Sequence, residues 1–106
     1  MAAGQPLIPS LSAKEALILQ LLGRSREMYG LELVAASDGG LKRGTVYVTL
    51  ARMQQKGYLA SRVEAANPGA IGLPRRLYQP TALGLRVMHA WALAARAFAG
   101  QLPQEV

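Results

Sequence analysis

Residues 42–64 read KRGTVYVTLARMQQKGYLASRVE and residues 74–81 read PRRLYQPT; these two stretches decide the fold. In the first, apolar Val46, Leu50 and Met53 recur at i, i+4 and i+7, the period of an amphipathic helix, and Gly57 stops it. A helix is therefore expected over about residues 44–56. That register leaves Thr45, Thr49, Arg52 and Lys56 on or near the face opposite the core, with Tyr47 and Val48 at its flanks. Leu59, Ser61 and Val63 then alternate with Ala60, Arg62 and Glu64, which is the period of a strand. An uncharged AANPGAIGLP loop follows, and Arg75 to Gln79 forms the returning strand. Pro80 ends its pairing because it has no N–H to donate.

Working outward, Ser12-Ala-Lys-Glu15 is a capping box that opens a first helix from Ser12 to about Leu22, stopped by Gly23. A second helix is expected from about Tyr29 to Ser37, and Asp38-Gly39-Gly40 turns the chain into the third. Thr81 can cap a last helix that continues to about Ala99. The fold class is mainly α with a small β-hairpin: a winged helix-turn-helix plus a C-terminal dimerisation helix. The expected divisions are a flexible N-terminal arm at 1–10, the winged helix-turn-helix at 11–80, the dimerisation helix at 81–100 and a flexible tail at 101–106. In such a layout the third helix enters the major groove of DNA, and the hairpin flanks the phosphates or reaches toward the minor groove.

Charge points the same way. Residues 42–76 hold seven basic side chains and one acid, while the other five basic residues are balanced by five acids, so the whole net charge of +6 lies on one helix and one hairpin. Arginines outnumber lysines nine to three, which favours forked contacts to phosphate and base edges. The expected partner is double-stranded DNA. Composition excludes much else. The chain has no cysteine and one histidine, so it offers no disulfide, no thiol nucleophile and no metal-ligand cluster, and no cofactor is expected. No nucleophile–base pair or phosphate loop marks an enzyme. The first ten residues carry no export signal, which reads as cytoplasmic.

Lys42 and Arg43 precede the third helix, where positive charge is unfavourable by roughly 0.3–1 kcal/mol per charge against the helix dipole. A docked phosphate offsets that. Thr45, Tyr47, Thr49 and Arg52 are the candidates for groove contact: the hydroxyls can bond phosphate or base, and the guanidinium can fork to guanine. Tyr47 has a second reading, as a half-buried core aromatic. Gln54 and Gln55 read as plain solvent-facing residues. Arg62, Arg75 and Arg76 belong to the hairpin, as phosphate clamps or as a solvated edge that discourages strand pairing.

The last helix is apolar around most of its circumference. Leu85, Met88, Ala92, Ala95 and Ala99 make one stripe, Val87, Trp91, Ala94 and Phe98 another, and only Arg86, His89 and Arg96 are polar. Such a helix must be buried on more than one side. One domain covers one side, and a second copy through an isologous contact covers the other, so Leu85, Met88, Trp91, Ala92, Ala95 and Phe98 are the expected homodimer residues. Trp91 is also the candidate wall of a pocket for a small hydrophobic effector. The stretch from Leu83 to Ala99 is 17 residues with Arg86, His89 and Arg96 inside it, too short and too charged for a membrane span.

Met28-Tyr29-Gly30-Leu-Glu-Leu, Gly44-Thr45-Val46-Tyr47 with Leu50 and Arg52-Met53, Lys56-Gly57-Tyr58-Leu59, and Arg75-Arg76-Leu77-Tyr78 with Thr81 and Gly84 together resemble the PadR-like transcriptional regulators over about residues 12–88. The resemblance implies a dimeric winged-helix repressor whose C-terminal helix makes the dimer, and many members respond to small hydrophobic or phenolic compounds. The chain departs from the family pattern in three places: Val48 stands where proline is usual, Lys42-Arg43 where a capping serine is usual, and Ala82-Leu83 where an acidic pair is usual. The expected function is a sequence-specific, homodimeric DNA-binding regulator acting on an inverted repeat. The alternatives are a winged-helix module that binds protein and a nonspecific architectural DNA binder. A binder of anionic lipid would carry its basic residues on the amphipathic helix rather than on helix three and the hairpin.

Overall fold

The computed structural model describes residues 11–64 and 75–101, with side chains through residue 97. The expected arm at 1–10, the hairpin loop at 65–74 and the tail beyond residue 101 lie outside the described residues. The elements run α1 (Ala13–Ser25), β1 (Met28–Tyr29), α2 (Gly30–Ala36), α3 (Val46–Gln55), β2 (Leu59–Val63), β3 (Arg76–Pro80) and α4 (Ala82–Gln101).

The capping box opens α1 as its sequence requires. The Glu15 N–H donates to Ser12 Oγ at 3.1 Å, and Glu15 Oε1 accepts from the Ser12 N–H at 2.9 Å. Gly23 does not stop the helix, which runs on to Ser25 and closes at Arg26, whose N–H donates to the Leu22 carbonyl at φ +72°. The glycine serves packing instead: a Cβ there would sit 3.5 Å from Met88 Cε, so its lack of a side chain lets α4 lie close over α1.

The sheet has three strands, not the two of a bare hairpin. Its order is β1-β3-β2, all antiparallel, with Met28 opposite Tyr78, Tyr29 opposite Leu77, and Arg62 opposite Leu77 on the other side. The returning strand β3 is therefore central, which explains why Leu77 and Tyr78 are both buried. One contiguous core joins Ile18, Leu19 and Leu22 of α1, Leu33 of α2, Leu41, the α3 residues Val46, Leu50 and Met53, and Leu59 and Tyr78 of the sheet. Burying a residue such as Leu50 is worth about 1.5–3 kcal/mol relative to exposure.

Two joints fix α3. At its start, Ser37 Oγ donates to the Val34 carbonyl and accepts from the Leu41 N–H, holding the tight turn through Asp38 and Gly39. At its end, the chain reverses through Gly57 at φ +81°, and α4 is bolted onto that reversal. Thr81 Oγ1 donates to the Gly57 carbonyl at 2.6 Å, and the Gly84 N–H donates to Thr81 Oγ1 at 2.9 Å, so the expected cap also acts as a cross-link. Gly84 lies flat on the Tyr58 carbonyl oxygen, with no room for a Cβ. No helix of the described residues is long and apolar enough to cross a membrane.

Candidate nucleic-acid interface

The inner face of α3 is Val46, Thr49, Leu50 and Met53, all buried. Thr49 is only 7% exposed, and its Oγ1 donates to the Thr45 carbonyl at 3.4 Å. Its expected role as a groove contact is therefore corrected: at i+3 from Val46 it shares the core face, and its hydroxyl is satisfied by the preceding turn. Lys56, expected on or near the outer face, bonds Glu15 Oε2 at 2.8 Å instead. Burial pushes the Glu15 carboxyl up, but the Lys56 ammonium and the Ser12 N–H outweigh it and hold the group below its ordinary value.

The true outer face is Val48, Ala51, Arg52 and Gln55, spaced i, i+3, i+4, i+7 and all exposed, with Tyr47 at its edge. Together these five line one shallow groove. Val48 is 61% exposed. Sequence reasoning placed Val48 at a flank, and passed over Ala51 and Gln55. The signal was present, since the spacing of this stripe mirrors that of the core stripe. Tyr47 is neither core nor free. It is 48% exposed, and its ring lies over Gly30, where a Cβ would come within 2.6 Å of Tyr47 Cε1. Lys42, Arg43 and Thr45 are exposed in the turn that leads into α3. No acid sits in the helix's first turn, and no side chain caps its N-terminus.

The wing divides its arginines. Arg62 is spent on a forked pair with Glu27, at 2.9 and 3.0 Å. The hydrogen bond from Arg62 lowers the Glu27 carboxyl, and Glu27 raises the guanidinium in return. Arg75 and Arg76 are exposed and have no carboxylate within ion-pair distance among the described residues. The Arg75 guanidinium lies 5.0 Å above the Tyr29 ring, and Arg76 Nη1 donates to Ser61 Oγ at 2.9 Å. Tyr29, unremarked in the sequence, orients this corner. Its hydroxyl donates to Glu64 Oε1 at 2.7 Å, and that carboxylate raises its pKa, so the phenol remains a donor. A cleft of about 670 Å³ runs between α2, α3 and the base of the wing, lined by Tyr29, Leu31, Tyr47, Arg75, Arg76 and Tyr78 among others. Burial raises the Tyr78 phenol there.

Lys42, Arg43, Arg52, Arg75 and Arg76 thus share the turn into α3, its outer face and the wing without an acid to neutralise them, among the described residues. On α4, Leu85 and Leu93 are exposed, whereas Val87 is buried and Met88 packs onto the domain's own core. Met88 is therefore corrected from the dimer stripe to an intrachain contact, because α4 turns that side toward α1. Trp91 and Ala92 are half-buried and Ala95 is exposed; the side chain of Phe98 lies outside the described residues. Neither cleft named above includes Trp91.

The sequence model of the transcriptional regulator PadR-like family matches residues 18–90. The chain belongs to that family. The match runs from α1 into α4, and the family's motif residues prove to be joints of the fold: Gly30 against Tyr47, and Thr81 and Gly84 against Gly57 and Tyr58. The family is one of transcriptional regulators, not enzymes. Among solved structures, a PadR family transcription regulator from hypervirulent Clostridium difficile is 25% identical with TM-score 0.71, over 84% of this chain and 93% of that one. A PadR family regulator from Eggerthella lenta is 26% identical with TM-score 0.61, over 85% of this chain and 84% of that one. Bacillus subtilis PadR in complex with operator DNA is 19% identical with TM-score 0.67; the match covers 90% of this chain and half, 50%, of that longer one, and shows a shared fold. No curated protein matches the sequence.

Proposed function

We propose that this PadR-family regulator is a homodimeric, sequence-specific DNA-binding repressor acting on an inverted-repeat operator. The observation that carries the reading is the segregation of cations: Lys42, Arg43, Arg52, Arg75 and Arg76 face outward unneutralised, while Lys56 and Arg62 are tied to acids. In this reading the N-terminal half of α3 enters the major groove with Thr45, Tyr47 and Arg52 at its edges, Lys42 and Arg43 hold the phosphates at the groove's mouth, and Arg75 and Arg76 hold those beyond it. Arg62 contributes only if it leaves Glu27. The shared fold with a solved regulator–operator complex supports this docking. Dimerisation through Leu85, Trp91, Ala92, Ala95 and Phe98 of α4 would space two α3 helices over half-sites about one helical turn, or a multiple, apart. A small hydrophobic compound seated at that seam would relieve repression, and the single Trp91 gives it an intrinsic fluorescence reporter.

The test is selection of binding sites from a random duplex pool at about 150 mM salt, where loose electrostatic binding is suppressed. Enrichment of an inverted repeat is the expected result. Retention without an enriched motif would replace the reading with a nonspecific architectural binder, and no retention would overturn DNA binding itself.

A further inference from the structure

The outer stripe of α3 carries one residue that neither charge nor packing explains. Val48 is third in the helix counted from Val46, at the end that reaches base edges most easily, and it is 61% exposed. A β-branched residue is a poorer helix former than Ala, Lys or Glu, so a purely solvated position gains nothing from valine. A lone exposed valine would be unremarkable. This one is not alone: the methyl of Ala51 adjoins it on the same face, Tyr47 and Arg52 flank the pair, and Gln55 extends the stripe a turn further. The result is a small apolar step inside a face whose other charged members, Lys42, Arg43 and Arg52, are all cationic.

A major groove presents one apolar group among its donors and acceptors, the C5-methyl of thymine. We propose that Val48, with Ala51 beside it, makes van der Waals contact with a thymine methyl in each operator half-site, so that the operator is read in part by shape and methylation of a pyrimidine, not by hydrogen bonds alone. The contact rests on the DNA-binding reading above. It further places Arg52, one turn on, over an adjoining guanine edge and Gln55 toward an adenine, the pairings that their forked donors and acceptors favour.

The experiment uses the full-length protein and the duplex selected above. Each thymine of the half-sites is replaced in turn by deoxyuridine, which removes the methyl and nothing else, and Kd is measured at fixed salt. One thymine per half-site should weaken binding about fourfold when replaced, and about fifteenfold when both are replaced, the value of one buried methyl converted to affinity. Val48→Ala should bind the thymine duplex more weakly and lose that sensitivity, so the two changes are not additive. Val48→Thr, which keeps one methyl, should retain part of it. Circular dichroism melts confirm that both variants fold. A selected motif with no uracil-sensitive position, or a sensitivity that persists undiminished in Val48→Ala, overturns the proposal and leaves DNA binding intact. Failure to retain any duplex overturns the DNA reading and this contact together.

Discussion

Helices α3 and α4 both turn one face to the core and one outward, yet what they leave exposed is opposite. On α3 the inner residues are apolar apart from Thr49, and the outer stripe mixes Arg52 and Gln55 with two small apolar side chains, under a cationic turn at Lys42 and Arg43. On α4 the inner side takes Val87 and Met88, and Leu85 and Leu93 still face outward, Leu93 at 49% exposure. An exposed cationic face is stable in water and waits for an anion. An exposed row of leucines is not, and calls for apolar cover. One chain thus presents two unlike surfaces, and the joint at Thr81 and Gly84 fixes their mutual orientation by tying the start of α4 to the turn that ends α3.

The difference can be broken first at α4. The double variant Leu85→Glu/Leu93→Glu should convert the dimer to a monomer in sedimentation or light scattering. Its affinity for the inverted repeat should fall on the order of 100-fold, since the two half-sites are no longer held together. An unchanged mass would place the dimer seam elsewhere. At the joint, Gly84→Ala drives a Cβ into the Tyr58 carbonyl, and forced repacking of that kind costs about 1–3 kcal/mol. A melting temperature lowered by several degrees is expected, and an unchanged one would show that the contact yields freely.

On the inner side of α3, Glu15→Gln keeps the cap geometry but removes the charge that meets Lys56, with an expected loss of about 1–3 kcal/mol in urea unfolding near neutral pH. The pH dependence has a definite sign. The folded-state pKa of Glu15 lies below its ordinary 4.5, so its stabilising contribution is full above that value and is lost as pH falls through the lower folded value. The Gln variant should lack that part of the acid dependence. The smallest effects sort the wing. Arg75→Ala and Arg76→Ala should each flatten the salt dependence of DNA binding by about 1. Arg62→Ala should flatten it less, because Glu27 already holds that charge. Equal slopes for all three would mean that the Glu27 pair opens on DNA.

The elements that were legible are those whose signal repeats. The capping box at Ser12, the period of Val46, Leu50 and Met53, and the alternation after Leu59 each span enough residues to state a geometry. Strand β1 is two residues long, too short to show any period, so the third strand and the central place of β3 appear only in three dimensions. The outer face of α3 was misplaced for a different reason. Polar residues were taken to mark it, but Thr49 is polar and buried, whereas Val48 is apolar and exposed. The neutralised cations were hidden because their partners lie far along the chain, 41 residues for Lys56 with Glu15 and 35 for Arg62 with Glu27. Charge density could be read from the sequence, but which charges remain free could not.

The most direct measurement is the slope of log Kd against log salt for the wild-type protein on its selected operator. Four phosphate-facing cations per protomer, Lys42, Arg43, Arg75 and Arg76, make about eight contacts in a dimer, for an expected slope of about −7. A slope shallower than about −2 would contradict a phosphate-gripping role for this face and leave its free arginines without the partner assigned to them here.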